Sequence, residues 1–279
     1  MRLSIFASAI RAHLWGDLLK SLRGGKYEYE VVFAGHIDQS LVADMFKDYP
    51  EFRYITTGEI KPAQCYEIAR RACTGLLVCW VADDCIFSEG FVDKVCDFYD
   101  SLSTIIPPII SCKTNENGNN ETMKNHRFFE RNQNTPMMAP VGVMSREYLD
   151  FLGGIDSRYI CGQYENDIVM RALSYAGDCI YLYEEVCVTI DHASKHKSND
   201  DFKGGYNEDR ETLEGSWVVG GYQEHPMPFL VHPVKHSQPP FWYRPITNYE
   251  VTLNRNDKFF PYPENISLTK SEEPRGQWS

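Results

Sequence analysis

Leu76-Leu77-Val78-Cys79-Trp80-Val81-Ala82 runs directly into Asp83-Asp84. Seven apolar or small residues without a charge predict a strand buried on both faces, as in a mostly parallel sheet covered by helices. The two carboxylates then stand at its C-terminal end, and Ser88-Glu89-Gly90 opens a helix just beyond. In open α/β sheets that end is where ligands bind. Adjacent carboxylates repel unless a cation or hydrogen-bond donors compensate, so the pair suggests a divalent metal held for a phosphate-bearing substrate. An acidic turn is the plain alternative, because Asp favours turns and helix entries. Taken alone, the pair supports both readings equally.

Working outward, residues 3–7 read as a first strand. Leu14, Leu18 and Leu22 mark a helix over 12–23 that stops at Gly24-Gly25. A second strand over 29–34 ends at Gly35, and a short third over 54–56 precedes Gly58. Pro62 suits the first turn of a helix running to about 72, broken by Gly75. Phe91, Val95, Phe98 and Leu102 mark the next helix, and 105–112 the next strand. This rhythm predicts βαβ units with right-handed crossovers. Residues 113–135 are rich in Asn, Glu, Lys and Gly and are expected to form a long polar loop of functional use. Order resumes over 137–144, in a helix over 145–152, and in a helix lined by Ile168, Ala172 and Tyr175. One or two strands over 179–190 end at Asp191-His192. Beyond about residue 200 the periodicity fades into a Pro- and aromatic-rich tail, too apolar for a disordered linker. The expected division is a domain over 1–214 and an irregular extension over 215–279 that packs on the domain or across a second copy of the chain.

The formal net charge of −11 leaves no basic stripe for a nucleic-acid backbone. The nine cysteines show no paired metal-ligand spacing and several sit in apolar runs, which points to a reducing compartment. No signal peptide or membrane-length apolar run is evident, so the expectation is a cytoplasmic protein.

Two further clusters carry chemistry: Glu165-Asn166-Asp167 at a helix start and Asp191-His192 at a strand end. Carboxylates at a helix N-terminus favour its dipole and cap free N–H groups, which accounts for at least one of Glu165 and Asp167. The other is then available as a general base toward a substrate hydroxyl. Mn²⁺ accepts carboxylate and imidazole, so His192 can complete a site begun by Asp84. A solvated loop histidine is its plain alternative.

Read in order, Val31-Val32-Phe33, Lys61-Pro62, Val81-Ala82-Asp83-Asp84, Gly153-Gly154-Ile155-Asp156, Tyr164-Glu165-Asn166-Asp167 and Arg171 resemble a family-two glycosyltransferase of the GT-A fold over roughly residues 1–200. The resemblance implies a mixed, mostly parallel sheet flanked by helices, with a nucleotide-binding βαβ half and an acceptor half. It implies metal-dependent (Mn²⁺ or Mg²⁺), inverting transfer of a sugar from a UDP- or GDP-sugar to a glycan or other hydroxyl acceptor. Asp83 would contact the ribose or phosphate side of the donor, and Asp84 would bind the metal. Registering Arg171 on the family's arginine leaves the base open between Glu165 and Asp167. Ser8, Ile10 and Arg11 match the first nucleotide loop, Asp38 stands near the family's base-recognising aspartate, and Lys61 and Gln64 fall where polar groups face the nucleotide. A nucleotidyltransferase is the rival enzyme, although residues 7–13 hold no glycine. A non-catalytic carbohydrate-binding or assembly protein is the rival of another class.

Overall fold

The computed structural model describes residues 1–58, 60–105, 107–116, 118–121, 123–128, 133–138, 141–156, 158–176, 180–190, 203–219 and 231–233. The first half alternates strands and helices: β1 (Leu3–Ser8), α1 (Ala12–Ser21), β2 (Tyr29–Gly35), a 3₁₀ turn (Gln39–Val42), α2 (Ala43–Asp48), β3 (Phe52–Thr56), α3 (Pro62–Ala72), β4 (Leu77–Trp80), β5 (Cys85–Phe87) and α4 (Phe91–Ser101). The second half comprises β6 (Ile109–Glu116), β7 (Asn119–Glu121), β8 (Met123–Phe128), β9 (Gln133–Met138), β10 (Gly142–Ser145), α5 (Arg146–Phe151), α6 (Tyr164–Ala176), β11 (Ile180–Ile190), α7 (Lys203–Ser216), β12 (Trp217–Val219) and β13 (Val231–Pro233).

The main sheet runs β3-β2-β1-β4-β10-β6-β11-β5, with β7 on the outer length of β6. β3, β2, β1 and β4 are parallel, as buried apolar runs joined by helices require. β10 enters antiparallel between β4 and β6, and β5 closes the edge antiparallel to β11. The sheet is therefore mixed, with the parallel half carrying the nucleotide-type βαβ units. Chain order turns back between β1 and β4, which makes their C-terminal ends the switch-point crevice of this sheet.

The quoted stretch behaves as its composition dictates, with one shift. Leu77, Val78, Cys79 and Trp80 are all buried, but Leu76 lies outside the strand and is exposed. Leu18 and Leu22 of the expected stripe are buried, joined by Trp15 and Leu19, while Leu14 is only half-buried. Trp15 stacks edge-on against Phe33 and Phe52 and tilts on Tyr54, so the indole locks α1 over β2 and β3. α3 packs its nearly continuous buried face on the parallel half.

The expected polar loop over 113–135 is corrected by the structure. β6 continues to Glu116, β7 folds back on it, and β8 pairs with β9 as an antiparallel ribbon. Polar residues form these strands because an antiparallel ribbon needs no apolar run on both faces. β11 is a single strand whose register against β6 slips twice near Tyr183–Val188, an irregularity that bends the strand. The boundary expected at 214 falls inside α7, and most of the C-terminal extension lies outside the described residues.

Candidate active site at the sheet switch point

The loop after β1 and the residues after β4 meet at the crevice. Oδ2 of Asp83 accepts from the backbone N–H of Ile10 and of Arg11, each at 2.9 Å, and from Trp15 Nε1 at 3.2 Å. These N–H groups lead into α1, so a carboxylate 72 residues from Arg11 in sequence fixes the loop at the helix entry and lies at the favourable end of its dipole. Oδ1 of Asp83 accepts from Arg11 Nε at 2.7 Å and from Nη2. Arg11 Nη1 reaches Oδ2 of Asp84. The Arg11 guanidinium is held even more firmly protonated than usual: burial opposes its charge, but Asp83 and then Asp84 outweigh that.

Two close approaches shape the same end. A Cβ on Gly35 would lie 2.1 Å from the carbonyl oxygen of Ala9, so only glycine lets the ends of β1 and β2 come together. The hydroxyl of Tyr54 accepts from Ile37 N–H at 2.9 Å and donates to that same Ala9 carbonyl at 3.3 Å, tying both loops to β3. Ser8, at the strand end, hydrogen-bonds the thiol of Cys65 on α3, whose burial pushes it up to about 11.

The second shoulder of the site is the start of α6. Asp167 is fully buried and pairs with Nε of Arg171, also fully buried, at 2.9 Å. Arg171 spends its other nitrogens on the carbonyls of Leu152 and, at 2.6 Å, Gly154. Gly154 has φ of +69°, and a Cβ there would lie 2.8 Å from Arg70 and Glu67. Glu67 accepts from Ile155 N–H at 2.9 Å and from both Arg70 and Arg71. Burial opposes its charge, but the two arginines win and hold the Glu67 carboxyl down at about 2. Burial and then Asp167 push the Asp156 carboxyl up, with Arg158 pulling against them.

Asp209, on α7, supplies a support that no local sequence pattern marks. Its buried carboxylate accepts from the backbone N–H groups of Ile160 at 2.6 Å, and of Cys161 and Gly162 at 2.8 Å each. The carbonyl of Ile160 in turn accepts from Ala63 N–H at the start of α3 at 3.0 Å. The loop leading to Glu165 is thus clamped from α7 and α3. Glu165 itself is half-buried on the first turn of α6.

Tyr66 joins the two shoulders. Its hydroxyl donates to Val81 O at 2.7 Å, immediately before Asp83-Asp84, and its ring lies 4.8 Å from that of Tyr164. Burial raises its pKa well above the ordinary phenol range; among its neighbours, the charges of Asp83 and Glu165 add to that rise.

The remaining expected residues sit elsewhere in this frame. Gln64 is buried and caps α3, its Oε1 accepting from Lys61 N–H at 3.1 Å. Lys61 is the N-cap residue there, half-buried. Asp38 is exposed and accepts from Ser40 N–H at 2.8 Å, which holds its carboxyl low. His192 lies outside the described residues. Among the described residues no group of three His, Cys, Asp or Glu side chains converges as a metal site. That does not count against a cation at Asp84. Magnesium-type ions are commonly held by one or two carboxylates with substrate phosphates and waters, and Asp84 already draws a cation, the Arg11 guanidinium. Among the described residues no helix is long and apolar enough to cross a membrane.

No family model matches the sequence, and no curated protein does so either. Solved structures do match. TarS (residues 1–349) from S. aureus, in complex with UDP-GlcNAc, is 16% identical over 77% of this chain and 66% of that one, with a TM-score of 0.53. The mannosyltransferase PcManGT from Pyrobaculum calidifontis, in complex with GDP-Man and Mn²⁺, is 17% identical over 72% of this chain and 59% of that one, at 0.52. GalNAc-T7 with UDP, GalNAc and Mn²⁺ is 13% identical over 68% and 43%, at 0.53. This chain spans less than two thirds of the length of each. At such identities the likeness concerns architecture, and on that it is clear: the chain has the GT-A fold of these glycosyltransferases.

Proposed function

We propose that this protein transfers a sugar from a nucleotide diphosphate sugar to an acceptor hydroxyl, with a divalent metal and with inversion at the anomeric carbon. One observation carries the reading. The Arg11 loop and Asp83-Asp84 meet at the switch point, and Tyr66 reaches from Val81 O, two residues before Asp83, to the ring of Tyr164, the residue before Glu165. That link supports a reading in which a diphosphate-binding end and a candidate base serve one crevice. That two of the solved neighbours hold Mn²⁺ and all three a nucleotide or nucleotide sugar supports the same choice of donor.

Asp84 is the carboxylate assigned to the metal; Asp83, with both oxygens engaged, holds the loop that faces the donor. A divalent cation bound there supplies stabilisation of the charge that develops on the departing diphosphate. Glu165 is assigned as base, because Asp167 is fully buried against Arg171 whereas Glu165 is half-buried on the first turn of α6. The acceptor oxygen attacks the anomeric carbon from the face opposite the diphosphate. As that bond forms, the bond to the leaving phosphate oxygen breaks with its electron pair, and the hydroxyl proton passes to Glu165.

The test is to incubate the full chain with Mn²⁺ and a panel of UDP- and GDP-sugars and to identify the product. Release of nucleoside diphosphate, lost in Asp84→Asn, is expected. Pyrophosphate release would point to nucleotidyl transfer instead, and no turnover or binding of any donor would leave a binding protein with this fold.

A further inference from the structure

The Arg11 guanidinium pairs with Asp84, the carboxylate assigned above to the metal. The carboxylates of Asp83 and Asp84 are only 3% and 2% exposed, while the guanidinium in front of them is 21% exposed. Their dependence on it differs. Asp83 also accepts from two backbone N–H groups and the Trp15 indole, so its grip on the β1–α1 loop survives without the side chain. The Asp84 bond to Nη1 does not. A divalent cation and Nη1 on the same carboxylate oxygen repel each other.

We propose that Arg11 is an exchange residue that makes metal entry depend on the nucleotide. This rests on the assignment of Asp84 to the metal given above. Without donor, Nη1 neutralises Asp84 and competes with the bare cation. With donor, Asp84 passes to the cation and the freed end of the guanidinium turns to the diphosphate, whose oxygens suit its planar fork. Arg11 thus opposes the metal alone and favours the metal with a diphosphate.

Binding of Mn²⁺ to the full chain, followed by electron paramagnetic resonance with and without UDP or GDP, tests this independently of turnover. Arg11→Met should bind Mn²⁺ alone on the order of tenfold tighter than the native protein, the equivalent of one charge-assisted hydrogen bond at a partly exposed position. At saturating Mn²⁺ it should bind the diphosphate on the order of tenfold more weakly. Arg11→Lys keeps the charge but not the fork, and should shift both affinities in the same directions by less; it carries the test if circular dichroism shows the Met variant unfolded. Mn²⁺ binding no tighter in any folded variant overturns the exchange, and the loss of Mn²⁺ in Asp84→Asn would then leave the metal assignment standing. Native-like Mn²⁺ binding by Asp84→Asn in the presence of diphosphate would instead remove that assignment, and the exchange with it.

Discussion

Glu165 and Asp167 sit two residues apart on one helical turn, yet burial gives them different work. Asp167 neutralises a fully buried arginine that holds the carbonyls of Leu152 and Gly154. Removing one partner of such a pair leaves an uncompensated charge, so Asp167→Asn should cost about 3 kcal/mol of stability, read from urea unfolding. Glu165→Gln should leave stability near native and lower kcat by roughly 10²–10⁴-fold with donor binding unchanged, since a base acts in the transition state. The reverse pattern, with transfer intact in Glu165→Gln, would take Glu165 out of the chemistry. The sequence placed both residues at the start of a helix but left the base open. Which of them faces a buried arginine is a property of packing.

At the scale of elements, the site is an agreement between α1, α3, α6 and α7 about where two loops end. α7 approaches closely because residue 205 is glycine: a Cβ there would lie 2.9 Å from Ile160. Through Asp209 this helix then takes three backbone N–H groups of the loop before α6. Asp209→Ala strands them, at a cost on the order of 3 kcal/mol. It should also lower kcat while leaving the donor KM near native, because the Arg11–Asp83 end is untouched. Asp209→Asn, which still offers an oxygen acceptor, should recover part of the loss. Steady-state kinetics beside urea unfolding checks this, and a native kcat in folded Asp209→Ala would make the clamp purely structural. Nothing local marks Asp209 in the sequence, because its partners lie more than forty residues away.

At the scale of the whole molecule, buried charge networks join the parallel half to the inserted half. Glu67, Arg70, Arg71 and Asp150 link α3 to α5 and to the turn at Ile155. Glu67 has a folded carboxyl held at about 2 against an ordinary 4.5. A depressed carboxyl adds stability above its unfolded pKa and loses it as pH falls through the folded one. The urea midpoint should therefore drop between about pH 4.5 and pH 2, and Glu67→Gln should lower it at pH 7 and flatten that drop. An unchanged acid limb in the variant would shift the cause to other carboxylates.

The sequence by itself determined the parallel half and the place of its carboxylates. Buried strands, glycine and proline punctuation and helical stripes are local patterns, and they located β1, β2, α3 and β4 to within a few residues. The antiparallel entry of β10 and the strands within 113–135 were not legible, because polar strands carry no apolar run and their pairing is set by neighbours. Only the tertiary structure decided that Asp83 holds the loop entering α1, that Asp167 belongs to Arg171 and that Asp209 clamps the loop of Ile160. Each of these is a choice of partner for a desolvated charge, and that choice depends on what the fold buries beside it.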